Sequence, residues 1–153
     1  PMCKALATLP DDAPTLILLR EALEGKACES VFCGRKIIGG NLSVLYGLQG
    51  TPYSLNAIID NCVEPPVLLI EDICERHYHI DRMMNNLRLS GVLSRLSGVI
   101  VGQFTDCDDD PKMGCTLRET LQYYLDQYDY PVVWDAPYGH EDDNRPIMFS
   151  LQV

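Results

Sequence analysis

Two apolar runs on either side of an amphipathic segment constrain the fold more than any other feature of this chain. The runs 67–71 (VLLIE) and 98–104 (GVIVGQF) are short and apolar, as is typical of buried strands. Strands that alternate with helices indicate an α/β fold with at least part of the sheet parallel, because a helical crossover returns the chain to the same end of the sheet. Between them, residues at helical spacing predict a helix over 78–90, stopped by Gly91: Ile80, Met83, Met84 and Leu87.

The rest of the chain continues this alternation of helices and strands. Helices are predicted within 11–26 and 41–50, and Asp12 or a neighbour can cap the first while Gly25 suits its end. The total of 153 residues suffices for one domain with a sizeable core. A capping box of Thr116 and Glu119 predicts a helix reaching Tyr128, and further strands are predicted within 28–40, 131–137 and 147–153.

Composition and charge argue against several classes of function. The formal net charge of −10 disfavours nucleic acid and anionic membrane as main partners. No apolar run approaches the roughly 20 residues that span a bilayer. The seven cysteines are odd in number and form no C-x-x-C pair, which argues against a disulfide framework or a zinc knuckle. They are therefore predicted to be reduced, in a reducing compartment.

Titratable residues follow two of the predicted strands. Glu71 and Asp72 close the run VLLI, and His140 comes shortly after VVWDAP, behind Gly139. In parallel sheets, the carboxyl ends of the strands are where chemistry is usually found. Glu71 could hold the Nδ1–H of His140 and leave Nε2 free as a base. On residue types alone, the favoured alternative is that Glu71 caps a turn and His140 is an ordinary loop histidine.

Two segments have the residue types of metal sites without the expected spacing. His77 and His79, with Glu75 nearby, share one face only in a strand, whereas this segment is predicted to start a helix. Solvated histidines at a helix N-terminus are therefore favoured over a metal site. The acidic stretch 106–114 lacks the glycine and the final glutamate of a calcium loop, so a solvated loop is favoured there.

A glycine pair opens the helix predicted within 41–50. Gly40 and Asn41 precede free backbone N–H groups that could bind an anion, and they are the predicted substrate contacts. The alternative is a tight turn in which Asn41 is only the N-cap. No serine lies in a G-x-S-x-G elbow, and neither Cys74 nor Cys107 has an activating context, so a nucleophile is missing.

Four motifs together resemble the LD-carboxypeptidase family of serine peptidases. They are GGNLSVLYGLQGTPY, LLIEDICERHYHIDRMMNNLRLSGVL, GVIVGQF and PVVWDAPYGHEDDNRP, and they cover about Ile37 to Pro146. The resemblance implies the family's C-terminal domain over 29–153, a swivelling β/β/α-type unit with a mixed sheet flanked by helices. Residues 1–28 would be a linker and helix leading from a missing N-terminal nucleophile domain.

The resemblance also implies a reaction. Glu71 and His140 match the acid and the histidine of the family's Ser-Glu-His triad, whose serine belongs to the missing domain. The implied activity is hydrolysis of the L,D-peptide bond to the terminal D-alanine of murein tetrapeptides, in cytoplasmic peptidoglycan recycling. It needs no metal or other cofactor. The chain alone is expected to be inactive because it lacks the nucleophile.

Three alternatives stay open at this point. A sister group, the microcin C self-immunity peptidases, cleaves acyl-sulfamoyl adenylates, although IEDICERHYHIDR is more similar to the murein branch. A binding or dimerisation module without chemistry, present as a homodimer, is the second alternative. A metal hydrolase that uses His77, His79 and Glu75 is the third.

Overall fold

A four-stranded sheet forms the centre of the structure, a computed structural model that describes residues 7–10, 12–24, 32 and 34–149. The strands are β1 (Ile37–Asn41), β2 (Val67–Ile73), β3 (Gly98–Thr105) and β4 (Val132–Val133). The helices are α1 (Pro14–Leu23), α2 (Leu42–Gly47), α3 (Leu55–Asp60), α4 (His77–Leu89) and α5 (Leu117–Leu125). Short 3₁₀ turns lie at Leu93–Arg95 and Pro111–Met113. No described helix is long and apolar enough to cross a membrane.

The strands lie in the order β1-β2-β3-β4, and each described pairing is parallel. The predicted α/β class is therefore confirmed, but within the described residues the sheet is parallel rather than mixed. The reason is that each strand is followed by a helical crossover, so the next strand starts again from the same edge. A final strand was expected over 147–153; residues 147–149 form no strand, and 150–153 lie outside the described residues.

Strand β2 is buried on both faces, which explains its continuous apolar run. Leu68 and Ile70 point into the main core beneath the helices, and Val67 and Leu69 point into a smaller core on the opposite face. All four side chains are at most 3% exposed. The faces follow the two-residue period of a strand.

The predicted helix over 78–90 is confirmed within one residue, and its four apolar residues all lie in the main core. The capping box of Thr116 and Glu119 is also confirmed, although α5 ends at Leu125 rather than Tyr128. Helix α3 was missed because it is short; the Ser54 hydroxyl caps it by accepting from the Ala57 N–H.

The elements near the N-terminus agree less fully with expectation. Helix α1 forms as predicted, but its N-cap is Ala13 and no side chain caps it. The predicted stop at Gly25 and the domain boundary between 28 and 29 lie outside the described residues.

The strand predicted over 131–137 shortens to two residues, because beyond Val133 the chain makes only isolated bonds to β3.

Candidate active site

The structure brings Glu71 and His140 together at the carboxyl edge of the sheet. Glu71 lies near the end of β2, and His140 lies in the loop after β4. Glu71 Oε2 is 3.3 Å from His140 Nε2, and the two side chains are 12% and 26% exposed. The expected contact through Nδ1 is not the one observed. Ring orientation depends on the path of the loop backbone, which the sequence pattern did not predict.

The Glu71 carboxyl group is in an environment that disfavours its charge. Burial raises the pKa of Glu71, and the negative charge of Asp72 raises it further. A positive charge on His140 lowers the pKa of Glu71 and so partly offsets this rise. Within the described residues, Oε2 is buried without a hydrogen-bond partner. The contact with His140 is an ion-pair distance rather than a hydrogen bond, so an imidazolium on His140 would compensate the charge of this carboxylate.

A bulge in β3 lies opposite Glu71. Ile70 pairs with Val101 and Asp72 pairs with Phe104, so two residues of β3, Gly102 and Gln103, oppose the single residue Glu71. Bulges bend a strand and redirect side chains, and they are frequent next to active sites. This bulge lets both Val101 and Phe104 face the main core although they are three positions apart.

The absence of a side chain at Gly102 lets the histidine loop, defined here as residues 138–143, cross β3. A Cβ at Gly102 would overlap the carbonyl oxygen of Tyr138 and approach the Glu71 Cβ to 3.2 Å. The Gln103 N–H donates to that same carbonyl at 2.8 Å. Because β3 lies between β2 and β4, His140 reaches Glu71 only by passing over this position.

Asp72 has a structural role that sequence reasoning missed. Its carboxylate is 1% exposed and accepts from Asn41 Nδ2 at 2.8 Å, from the Ser43 N–H at 2.9 Å and from the Ile73 N–H at 2.9 Å. Asn41 is the N-cap of α2, as one alternative held, and accepts from the Val44 N–H at 3.1 Å. The expected anion site at this helix start is thus filled by a carboxylate of the chain itself.

Gly40 and Asn41 lie beside Glu71 at the same edge. In the register of the sheet, Asn41 is the partner of Glu71 and Gly40 is the partner of Ile70. A hydrogen bond from the Asn41 amide favours the charged form of Glu71 and so lowers its pKa. A Cβ added to Gly40 would meet nothing within 4 Å, so space is open there. Their contact with substrate stays a prediction.

The two other histidines have different protein partners. His77 is 1% exposed, with Nε2 2.7 Å from Thr120 Oγ1, and its Nδ1 accepts from the Asp110 N–H at 3.2 Å. His79 Nδ1 instead lies 2.9 Å from Glu75 Oε2. Within the described ranges, no group of three or more histidine, cysteine or acidic side chains could hold a metal ion. The expectation of a solvated His77 is wrong, because the first turn of α4 packs against α5.

Carboxylates of the acidic stretch bind backbone groups, and the described cysteines are free. Asp109 accepts from the Leu117 N–H at 2.6 Å and Asp110 accepts from the Lys112 N–H at 2.9 Å, so both carboxylates bind backbone rather than solvent alone. Burial raises the pKa of Cys107 to about 11, so it is a thiol at neutral pH. The described cysteines Cys62, Cys74, Cys107 and Cys115 are free; the remaining three lie outside the described residues.

Comparison with known proteins agrees with this arrangement. The profile of the LD-carboxypeptidase C-terminal domain matches residues 35–153. A Bacillus subtilis protein named "Probable murein peptide carboxypeptidase" is 32% identical over 80% of this chain and 35% of its own length. The microcin C7 self-immunity protein of Escherichia coli is 26% identical over 77% of this chain and 33% of its own length.

A solved structure gives the same assignment. The crystal structure of muramoyltetrapeptide carboxypeptidase from Oxalobacter formigenes superposes with a TM-score of 0.68 at 26% identity, covering 88% of this chain and 48% of that one. The chain thus spans about a third of the length of the curated relatives named above. The chain belongs to the LD-carboxypeptidase family and comprises its C-terminal domain.

Proposed function

We propose that this chain supplies the acid and the general base of a serine carboxypeptidase that releases the terminal D-alanine of murein tetrapeptides. The observation that carries the proposal is the 3.3 Å contact between Glu71 and His140 at the carboxyl edge of the sheet. Relatives named for murein peptides and muramoyltetrapeptide support the substrate class. The corresponding place in the cell is cytoplasmic peptidoglycan recycling.

In the proposed reaction, His140 takes the proton of a serine hydroxyl as its oxygen attacks the carbonyl carbon of the scissile L,D-bond. The imidazolium then protonates the leaving amine, the C–N bond breaks, and D-alanine departs. Water hydrolyses the acyl-enzyme with His140 again acting as base. With the ring as it stands, Nε2 faces Glu71, so Nδ1 is the nitrogen available to the serine.

Glu71 contributes to this reaction through charge. Its buried Oε2 has no other partner in the described part of the chain, so an imidazolium is the group that best compensates it. The imidazolium that forms on His140 in the transition state therefore stabilises the buried Glu71 carboxylate. Because this interaction is stronger in the transition state than in the substrate complex, it lowers the barrier to reaction. The serine and the oxyanion hole are proposed to come from a part of the protein outside this chain.

The test is a D-alanine release assay on the protein translated from the full open reading frame. His140→Ala should abolish turnover, and Glu71→Gln should lower kcat severely while KM stays nearer its original value. His79→Ala is the matched control, because His79, on α4, pairs with Glu75 and not with Glu71. Full activity of His140→Ala would contradict the assignment.

The second candidate is cleavage of acyl-sulfamoyl adenylates, favoured by the 26% identical microcin C7 self-immunity relative. The same protein and variants can be offered aspartyl or glutamyl sulfamoyl adenosine. Turnover of that substrate without D-alanine release would favour the second candidate. Turnover of neither would favour a binding or dimerisation module.

A further inference from the structure

We propose that Gln103 is a positioning residue that holds the histidine loop (138–143) over β3 and thereby keeps His140 against Glu71. Its catalytic consequence rests on the function proposed above. Gln103 Oε1 accepts from the Glu141 N–H at 3.2 Å, and Nε2 donates to the Asp143 carbonyl at 2.9 Å.

These bonds enclose His140 on both sides. The backbone N–H of Gln103 donates to the Tyr138 carbonyl, two positions before His140. The side chain binds the backbone one and three positions after His140, at Glu141 and Asp143. Gln103 lies in the bulge of β3 opposite Glu71 on β2. The same residue therefore sits beside Glu71 and binds the loop that carries His140.

The chemistry of this contact requires a carboxamide. A backbone N–H only donates and a carbonyl only accepts, so the amide satisfies both partners in one orientation alone. A glutamate at this position would direct an oxygen at the Asp143 carbonyl, and a lysine would direct a donor at the Glu141 N–H. Asparagine is shorter by one methylene and would not span the loop.

The loop also packs against Gln103. Gly139 has a φ of +151°, and a Cβ added there would come within 2.9 Å of the Gln103 Cβ and 3.0 Å of its Oε1. The Gly139 N–H donates to Asn144 Oδ1 at 3.2 Å, which closes the loop on itself. Removing the Gln103 amide should thus release residues 139–143 while the backbone bond to Tyr138 and the sheet remain.

The first measurement uses this chain and needs no enzymatic activity. In Gln103→Leu, which keeps the approximate volume but neither donates nor accepts, amide hydrogen exchange of Glu141 should accelerate about tenfold. Exchange of the β3 amides should not change. Gln127→Leu is the matched control, because Gln127 follows α5 and donates to the carbonyl of Tyr123 within that helix, not to the histidine loop. Unchanged exchange at Glu141 would overturn the inference.

The second measurement uses the protein from the full open reading frame. Gln103→Leu should lower kcat about 10- to 100-fold with KM nearly unchanged, since the base is displaced and substrate contacts are not. A faster Glu141 exchange with unchanged kcat would overturn the positioning role. If the wild-type protein releases no D-alanine, the proposed function fails, and Glu141 exchange still decides whether Gln103 holds the loop.

Discussion

At the scale of single residues, the Glu71 carboxyl should leave a signature in the pH dependence of stability. Because burial raises its pKa above the ordinary value of 4.5, the folded state binds more protons than the unfolded state just above that pH. The free energy of unfolding should therefore fall as the pH rises from 4.5 through the folded-state pKa of Glu71.

Glu71→Gln should remove this contribution and flatten the pH dependence in that window. The measurement is urea unfolding of the wild type and the variant at several pH values between about 4.5 and 7. A wild type whose stability rises more steeply than that of the variant across this window would contradict the raised pKa.

A second residue-scale prediction separates the two histidines of α4. His77→Ala should lower the free energy of unfolding by about 2–4 kcal/mol, because it leaves a cavity and an unpaired Asp110 N–H, and the Thr120 hydroxyl keeps only its contact with Cys115 Sγ. His79→Ala should cost less than about 1 kcal/mol, since its pair with Glu75 is partly exposed. Urea unfolding measures both, and equal losses would refute the distinction.

At the scale of elements, the crossing of the histidine loop over β3 depends on a missing side chain. Gly102→Ala should displace Tyr138 and lower the free energy of unfolding by about 1–3 kcal/mol, because a backbone carbonyl occupies the position of the new Cβ. Gly47→Ala in α2 is the matched control: its Cβ would meet nothing within 4 Å, and alanine is the better helix former by about 1 kcal/mol. Denaturant unfolding measures the free energy of unfolding of both variants. An unchanged free energy of unfolding in Gly102→Ala would show that the histidine loop need not cross β3 at this position.

At the scale of the whole molecule, the site at the carboxyl edge holds an acid and a base, and the nucleophile is proposed to lie elsewhere in the protein. The isolated chain should therefore release no D-alanine above background, because loss of a triad member costs about 10⁴-fold or more and the oxyanion hole is also proposed to lie outside the chain. The protein from the full open reading frame should recover the activity in the same assay. Clear turnover by the isolated 153 residues would refute the proposal that the nucleophile lies outside this chain.

Local features of this chain followed from the sequence because each depends on residues within one or two helical turns. The helical period from Ile80 to Leu87, the capping box at Thr116 and the buried run of β2 are features of this kind. Parallel pairing in part of the sheet followed as well, because a helical crossover leaves a strand few other ways to pair. The sheet was expected to be mixed, however, and it is parallel throughout the described residues.

Features that depend on the path of a loop required the tertiary structure. The ring nitrogen that His140 turns to Glu71 and the burial of His77 are both set by segments distant in the chain. Asp72 was grouped with Glu71 as a second acid at a strand end, yet alternation along β2 turns it to the opposite face, where α2 begins. The bulge that places Gln103 beneath the histidine loop has no sequence signal, because a shift of one residue in register arises only when two strands pair.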